Sequence, residues 1–281
     1  MIEIKTLQEL TTWVKKQKQL GSTIGFVPTM GSLHQGHLSL IRLAKEQCDI
    51  VVCSIFVNPT QFNESSDFES YPKHEKKDLE LLRNEECDIV YLPKVSEVYP
   101  DSMIKRDYPL NQLANVLEGA FRPGHFNGVI QVVMRLFEIV LPDKAFFGIK
   151  DFQQLAVIRW MVDYYTIPVE IVGGNIIRDI SGLALSSRNE HLSETEKVSA
   201  LKLSKALFTI QDNYKNEPFN SLRSTLLSAL NDDPAIDVEY IELANSKDLT
   251  ILQNVDEAPS VGVFIAAKIG DVRLIDNIIL F

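Results

Sequence analysis

One alternation constrains this fold more than anything else. Through the first 180 residues, short apolar, β-rich runs (residues 23–27, 50–57, 88–92, 145–147 and 169–172) take turns with helical periodicities at 38–46, 76–85, 129–140 and 152–165. The early runs, such as CDIVVCSIFV, are apolar throughout rather than at every second position, as in strands covered on both faces. Strand–helix–strand repetition at this spacing predicts a doubly wound parallel α/β sheet, with ligands at the carboxyl ends of its strands. After about residue 189 the texture changes. Two helical stretches (194–214 and 221–231) precede three strand-like runs (238–244, 261–268 and 272–279), which predicts a smaller C-terminal α+β domain. The expected division is 1–182 and 183–281, with the junction at 183–192, and residues 93–107 read as a long irregular connection.

Composition removes whole classes of function. Thirty-eight acidic residues against 28 basic ones give a net charge of −10, which argues against a nucleic-acid backbone as partner but allows a local basic site for a nucleotide. Cys48, Cys53 and Cys87 fit no zinc spacing and lie in or beside apolar runs, where a small buried thiol is the ordinary reading. The opening MIEIKTLQELTTW has no basic segment followed by an apolar stretch, and no apolar run approaches the ~20 residues of a membrane span. The expectation is a soluble protein of a reducing compartment, without a membrane partner.

The chemistry concentrates in five stretches. In VPTMGSLHQGH a strand runs into a Pro/Gly turn and a His-x-Gly-His opens an amphipathic helix. A helix N-terminus suits a phosphate, and two histidines three residues apart (His34 and His37) can donate to phosphoryl oxygens, with Gly36 allowing close approach. A solvated pair of histidines, or zinc ligation lacking its other ligands, are the competing readings. In SIFVNPTQF, Asn58 and Gln61 follow a buried strand and can bind a hydroxyl or carboxylate; Asn58 could instead cap its own turn. LEGAFRPGHFNG reads as a shaped loop ahead of a long apolar helix. In GIKDFQQ, Lys150 can sit on phosphate, whereas Asp151 could be only a helix-start charge and Gln153 could face solvent. In GLALSSRN, small hydroxyls beside Arg188 make a phosphate clamp, with a Ser-rich linker as the bland alternative. Neither a P-loop nor a Gly-x-Ser-x-Gly elbow occurs.

Taken together and in this order, these blocks resemble the pantoate–β-alanine ligase family of the His-x-Gly-His (HxGH) nucleotidylyltransferases. The resemblance spans residues 27–189 and implies a Rossmann-like nucleotide- and pantoate-binding domain with a C-terminal lid. It implies ATP-dependent joining of pantoate and β-alanine through a pantoyl adenylate, releasing pyrophosphate and AMP, in a cytoplasmic homodimer requiring Mg2+. By motif position Met30, Gly31, Ser32, Leu33, His34, Gln35, Gly36 and His37 match the ATP-binding turn, with His37 as general acid and His34 beside it on phosphate. Gly148, Ile149, Lys150, Asp151, Leu185, Ser186, Ser187 and Arg188 match further nucleotide contacts, Lys150 and the Ser-Ser-Arg being on the phosphates. Ile177 matches an adenine-side backbone position, Gln61 and Gln154 match substrate contacts, and Asp78 matches a magnesium-side acid. Departures are Ile149 for Glu, Leu185 for Met, Lys73-His74 for Arg-Thr, and Lys77 where an acid adjoins Asp78. Two rivals stand: a transferase acting on a phosphorylated acceptor, which needs a basic pocket, and a catalytically silent nucleotide-binding scaffold.

Overall fold

A run that is apolar on both faces becomes a stable strand only where both faces are covered. The structure, a computed structural model, describes residues 1–62, 65–100 and 107–281, with the backbone alone at 65–67; the expected connection at 93–107 therefore lies partly outside the described residues. A short first strand, β1 (Ile2–Ile4), is followed by the five expected ones: β2 (Ile24–Thr29), β3 (Ile50–Ile55), β4 (Ile89–Tyr91), β5 (Lys144–Gly148) and β6 (Glu170–Gly174). The intervening helices are α1 (Leu7–Gln19), α2 (Gln35–Gln47), α3 (Ser65–Ser70), α4 (Glu75–Asn84), α5 (Val95–Val98), α6 (Glu118–Phe121), α7 (His125–Val140) and α8 (Phe152–Tyr164). The six strands are parallel, in the order β1-β4-β3-β2-β5-β6. Strand order reverses at β2 and β5, which pair at Gly25–Lys144 and Phe26–Ala145. Their carboxyl ends therefore flank the crevice where such sheets bind ligands.

Helix α2 seals one face of this sheet with Leu40, Ile41 and Ala44 against Val27, Val51, Cys53 and Phe146. Leu38 and Ile41 are 2% and 1% exposed; each stabilises the fold by roughly 1.5–3 kcal/mol. On α7, Phe137 meets the edge of Phe26. All three cysteines are unpaired thiols, Cys53 and Cys87 buried and Cys48 half-buried. No helix among the described residues is long and apolar enough to cross a membrane.

The chain divides into two units. Residues 1–110, 122–149 and 157–175 form the first, and residues 111–121, 150–156 and 176–281 the second. The second holds helices α9 (Glu194–Asn213) and α10 (Phe219–Asn231) and the antiparallel sheet β7 (Ile236–Asn245), β8 (Val261–Ile269) and β9 (Val272–Ile279), in sequential order. Along β8, Val263, Ile265 and Ala267 pack with Leu203, Leu207 and Phe219 of the helices. Phe264 and Ala266 point the other way and pack with Leu117, Tyr240 and Phe152. Residues 111–121 and 150–156 thus cover the face of the small sheet that α9 and α10 leave bare.

Candidate active site

The His-x-Gly-His turn leaves β2 through two successive left-handed residues, Gly31 (φ 82°) and Ser32 (φ 49°). A Cβ on Gly31 would lie 3.0 Å from the Ile55 side chain and 3.1 Å from an Asp78 carboxylate oxygen. Helix α2 then opens with reciprocal histidine caps. His34 Nδ1 accepts the Gly36 amide at 3.1 Å, and His37 Nδ1 accepts the His34 amide at 3.3 Å. The two rings lie against each other at a tilt of 42°, with centroids 4.1 Å apart. A neutral imidazole has one accepting and one protonated nitrogen, so both histidines carry their proton on Nε2. The first turn of α2 thereby holds two oriented Nε2–H donors at the carboxyl end of β2. A Cβ on Gly36 would meet the His34 ring at 2.8 Å, so the close approach expected at Gly36 is made by His34 itself.

Asp78, in the first turn of α4, holds this turn from below. Its two carboxylate oxygens accept the amides of Ser32 (2.9 Å) and Leu33 (2.7 Å), and the residue is 1% exposed. Burial pushes the carboxyl up, while these amides, His74 and Lys77 pull it back. Among the described residues there is no group of three or more His, Cys, Asp or Glu suited to a metal. Asp78 does not fit a hydrated magnesium ion: it is 1% exposed, and each of its oxygens already accepts an amide of the turn. The N–H groups of Ser32 and Leu33 are committed to Asp78 and are not phosphate donors.

Asn58 and Gln61 lie past β3 and form one hydrogen-bonded unit. Asn58 Oδ1 accepts from the Thr60 amide (3.2 Å) and the Tyr99 hydroxyl (2.8 Å), so its Nδ2 faces the Gly128 carbonyl (3.2 Å) and Gln61 Oε1 (3.1 Å). Both amide hydrogens of Asn58 are used and the residue is 1% exposed. Asn58 therefore positions Gln61 rather than touching a substrate, a correction to the expected ligand contact. With Oε1 accepting, Gln61 turns Nε2 outward onto Met30 Sδ at 3.2 Å. A thioether is a weak acceptor, so this N–H is only weakly satisfied.

The role of RPGHFNG follows from the same unit. His125 Nδ1 lies 2.7 Å from the Gln61 carbonyl oxygen, and a Cβ on Gly128 would meet the Thr60 carbonyl oxygen at 2.4 Å. The motif brings α7 against the turn that holds Gln61. By sequence it reads only as a shaped loop, although a Gly and a His one helical turn apart could signal such a contact. Tyr99 carries no local signal at all. Burial pushes its hydroxyl up to about 12, keeping it a donor.

The remaining nucleotide candidates and Gln154 are divided between the two units. Gly148 and Ile149 close β5 and belong to the first unit, whereas Lys150, Asp151 and Gln154 belong to the second. Lys150 Nζ is 3.8 Å from Asp151, and its side chain is only 17% exposed. Gln154 is half-buried in the first turn of α8. Its neighbour Gln153 does not face solvent: it is 4% exposed, accepts the Glu118 amide and donates to the Leu113 and Val116 carbonyls, each at 2.8 Å. Ile177 and Leu185 come together, the Leu185 amide donating to the Ile177 carbonyl at 2.9 Å, beside the bridge between Arg178 and Ala184. Ser186 then caps a 3-10 turn, Ser187–His191, by accepting the Arg188 amide at 3.3 Å. GLALSSRN is a folded hairpin and capped turn, not a linker.

A family model described as pantoate–β-alanine ligase matches residues 3–279. A pantothenate synthetase of Porphyromonas gingivalis is 44% identical over 273 residues, 97% of each chain. The crystal structure of pantothenate synthetase from Thermus thermophilus superposes with a TM-score of 0.94 at 36% identity, covering 100% of both chains. That of pantoate–β-alanine ligase from Francisella tularensis, complexed with β–γ ATP and β-alanine, gives 0.82 at 36% identity, covering 100% of this chain and 98% of that one. Fold and full-length similarity coincide, and the chain belongs to the pantoate–β-alanine ligase family of enzymes.

Proposed function

We propose that this enzyme joins pantoate to β-alanine using ATP, by way of a tightly held pantoyl adenylate. In the first step a pantoate carboxylate oxygen attacks the α-phosphorus of ATP and the bond to pyrophosphate breaks. In the second the amine of β-alanine attacks the acyl carbon, a proton leaves the nitrogen, and AMP departs with its electron pair. No protein nucleophile is needed, so catalysis rests on positioning and on stabilising charge.

The observation that carries this reading is the fixed tautomer of His34 and His37. Two Nε2–H groups, oriented by backbone amides, are suited to the phosphoryl oxygens on which charge builds as pyrophosphate leaves, with His37 as the acid. Lys150 and the Ser186–Arg188 turn are assigned to the same phosphates, and Ile177 and Leu185 to the adenine side. Gln61, with its N–H turned outward, and Gln154 are assigned to pantoate's oxygens. The side chain of Gln61 bonds an amide and a thioether, neither of them charged, an environment suited to a hydroxy acid rather than to a phosphorylated acceptor. Magnesium enters the reading only as the ion that ATP itself brings, since Asp78 is buried against the turn. Three unpaired thiols accord with a reducing cytoplasm. A homodimer belongs to the same proposal, to be checked by light scattering.

The test is exchange of labelled pyrophosphate into ATP. Exchange that requires pantoate and proceeds without β-alanine is the expected result. Exchange without pantoate, or a pantoyl group bound covalently to the protein, would overturn the reading.

A further inference from the structure

In the middle of β9 two consecutive polar residues, Asp276 and Asn277, are buried, at 6% and 3% exposure. Successive strand residues face opposite sides of a sheet. Asp276 pairs with Ile265, on the face covered by α9 and α10, and Asn277 with Phe264, on the face covered by residues 150–156.

Each uses its face to hold a different part of the proposed phosphate set. Asp276 receives a two-pronged bond from Arg178, Nη1 at 2.6 Å and Nη2 at 2.9 Å. Arg178 Nη1 also donates to the Gly182 carbonyl at 3.2 Å, and its guanidinium lies over the Phe208 ring. Arg178 is thereby fixed at the base of the hairpin that delivers Ser186. On the other face, Asn277 Nδ2 donates to the main-chain carbonyl of Lys150 at 2.8 Å. The two residues are themselves joined, Asp276 Oδ1 accepting the Asn277 amide at 2.8 Å. Lys150, Ser186, Asn189 and Asp276 line one small cavity.

A buried ion pair is poor evidence of stabilisation, because well-packed apolar residues often serve as well or better. What such a pair supplies is a fixed geometry, and here the geometry belongs to Lys150 and to the segment entering Ser186–Arg188. We propose that Asp276 and Asn277 are positioning residues for nucleotide binding. Asn277 sets the backbone from which Lys150 reaches, and Asp276, through Arg178, sets the hairpin that presents the Ser-Ser-Arg turn. The inference rests on the reading of those residues as phosphate ligands.

The decisive variant is Asn277→Asp, which keeps shape but sets an oxygen against the Lys150 carbonyl. ATP affinity measured by calorimetry should fall about tenfold, the scale of one lost hydrogen bond plus repulsion. The KM values for pantoate and β-alanine should stay within about twofold on the same scale. In a Lys150→Ala background, Asn277→Asp should weaken ATP binding by less than about twofold further, because the group it positions is gone. Arg178→Lys, which keeps the charge and loses the fork, should weaken ATP binding without moving the pantoate KM. Should Asn277→Asp fail to fold, Asn277→Ser, which keeps a donor, takes its place, with a smaller ATP defect expected. Equal losses with and without Lys150, or a matched rise in all three KM values, would make these residues merely structural and overturn the inference. An enzyme without pantoate-dependent exchange whose variants still lose ATP would sink the proposed reaction and leave this inference standing.

Discussion

His37 accepts the amide of His34 through Nδ1, while His34 accepts the amide of Gly36 through its own, so backbone amides set the tautomer of both rings. A single backbone arrangement thus does two jobs: it caps α2 and it determines which imidazole nitrogen carries the proton. A pair of solvated histidines would have neither constraint.

His37→Ala should therefore cost the helix part of its cap, about 0.5–2 kcal/mol, and leave a folded enzyme. Pyrophosphate exchange should fall by roughly 10²–10³-fold, the loss typical of removing one charge-stabilising donor. Denaturant melts and exchange rates on the same preparation separate the two effects. Near-normal exchange would remove His37 from the chemistry.

Gln61→Ala and Gln154→Ala should each raise the pantoate requirement by roughly 5- to 150-fold, equivalent to ~1–3 kcal/mol for a lost partner in a closed site. Tyr99→Phe acts two bonds away, through Asn58 on Gln61, and should give a rise of roughly 2- to 12-fold. ATP affinity measured alone should hardly move in any of the three. A shift in ATP binding with pantoate unaffected would reassign these residues to the nucleotide.

Asp78→Asn separates a turn anchor from a metal ligand. It replaces one of two accepting oxygens by an N–H facing an amide, so one buried donor is orphaned at a cost of ~1–3 kcal/mol. The melting temperature and the exchange rate should fall together. The magnesium concentration for half-maximal activity should not change, whereas a magnesium ligand would shift it.

Alkaline conditions should unfold this protein through groups that the fold keeps protonated. Burial pushes the Cys87 thiol and the Tyr91 and Tyr99 hydroxyls each to about 12, from ordinary values of 9.0 and 10.0. Folded chains then hold more protons than unfolded ones, so stability is complete below about pH 9 and is lost as pH rises toward 12. The Tyr91 hydroxyl is buried without a hydrogen-bond partner in the structure. Tyr91→Phe should accordingly be neutral or stabilising and should flatten the alkaline loss, as read from urea midpoints between about pH 7 and 11.

Features with a short-range cause are the ones legible in the chain. Apolar runs and helical periods located β2 to β9 and helices α2, α4 and α7 to α10, because burial on one or two faces writes a period into the chain; β1 and α1 were not read from them. The His-x-Gly-His, Lys150 and Ser186–Arg188 blocks were legible because turn chemistry and helix starts confine their residue types to a few adjacent positions. The tertiary structure alone decided who holds whom. Asp78, far along the chain from the His-x-Gly-His turn, takes the amides of Ser32 and Leu33 in the turn that leads into α2. Asn58 is saturated by Tyr99 and Gly128, which turns a candidate ligand into a support. Residues 111–121 and 150–156 join the C-terminal sheet because β8 is apolar on both faces and its second face needs a cover. Such pairings leave no local pattern: a hydrogen bond needs only one donor and one acceptor, and the chain can supply the second from any distance.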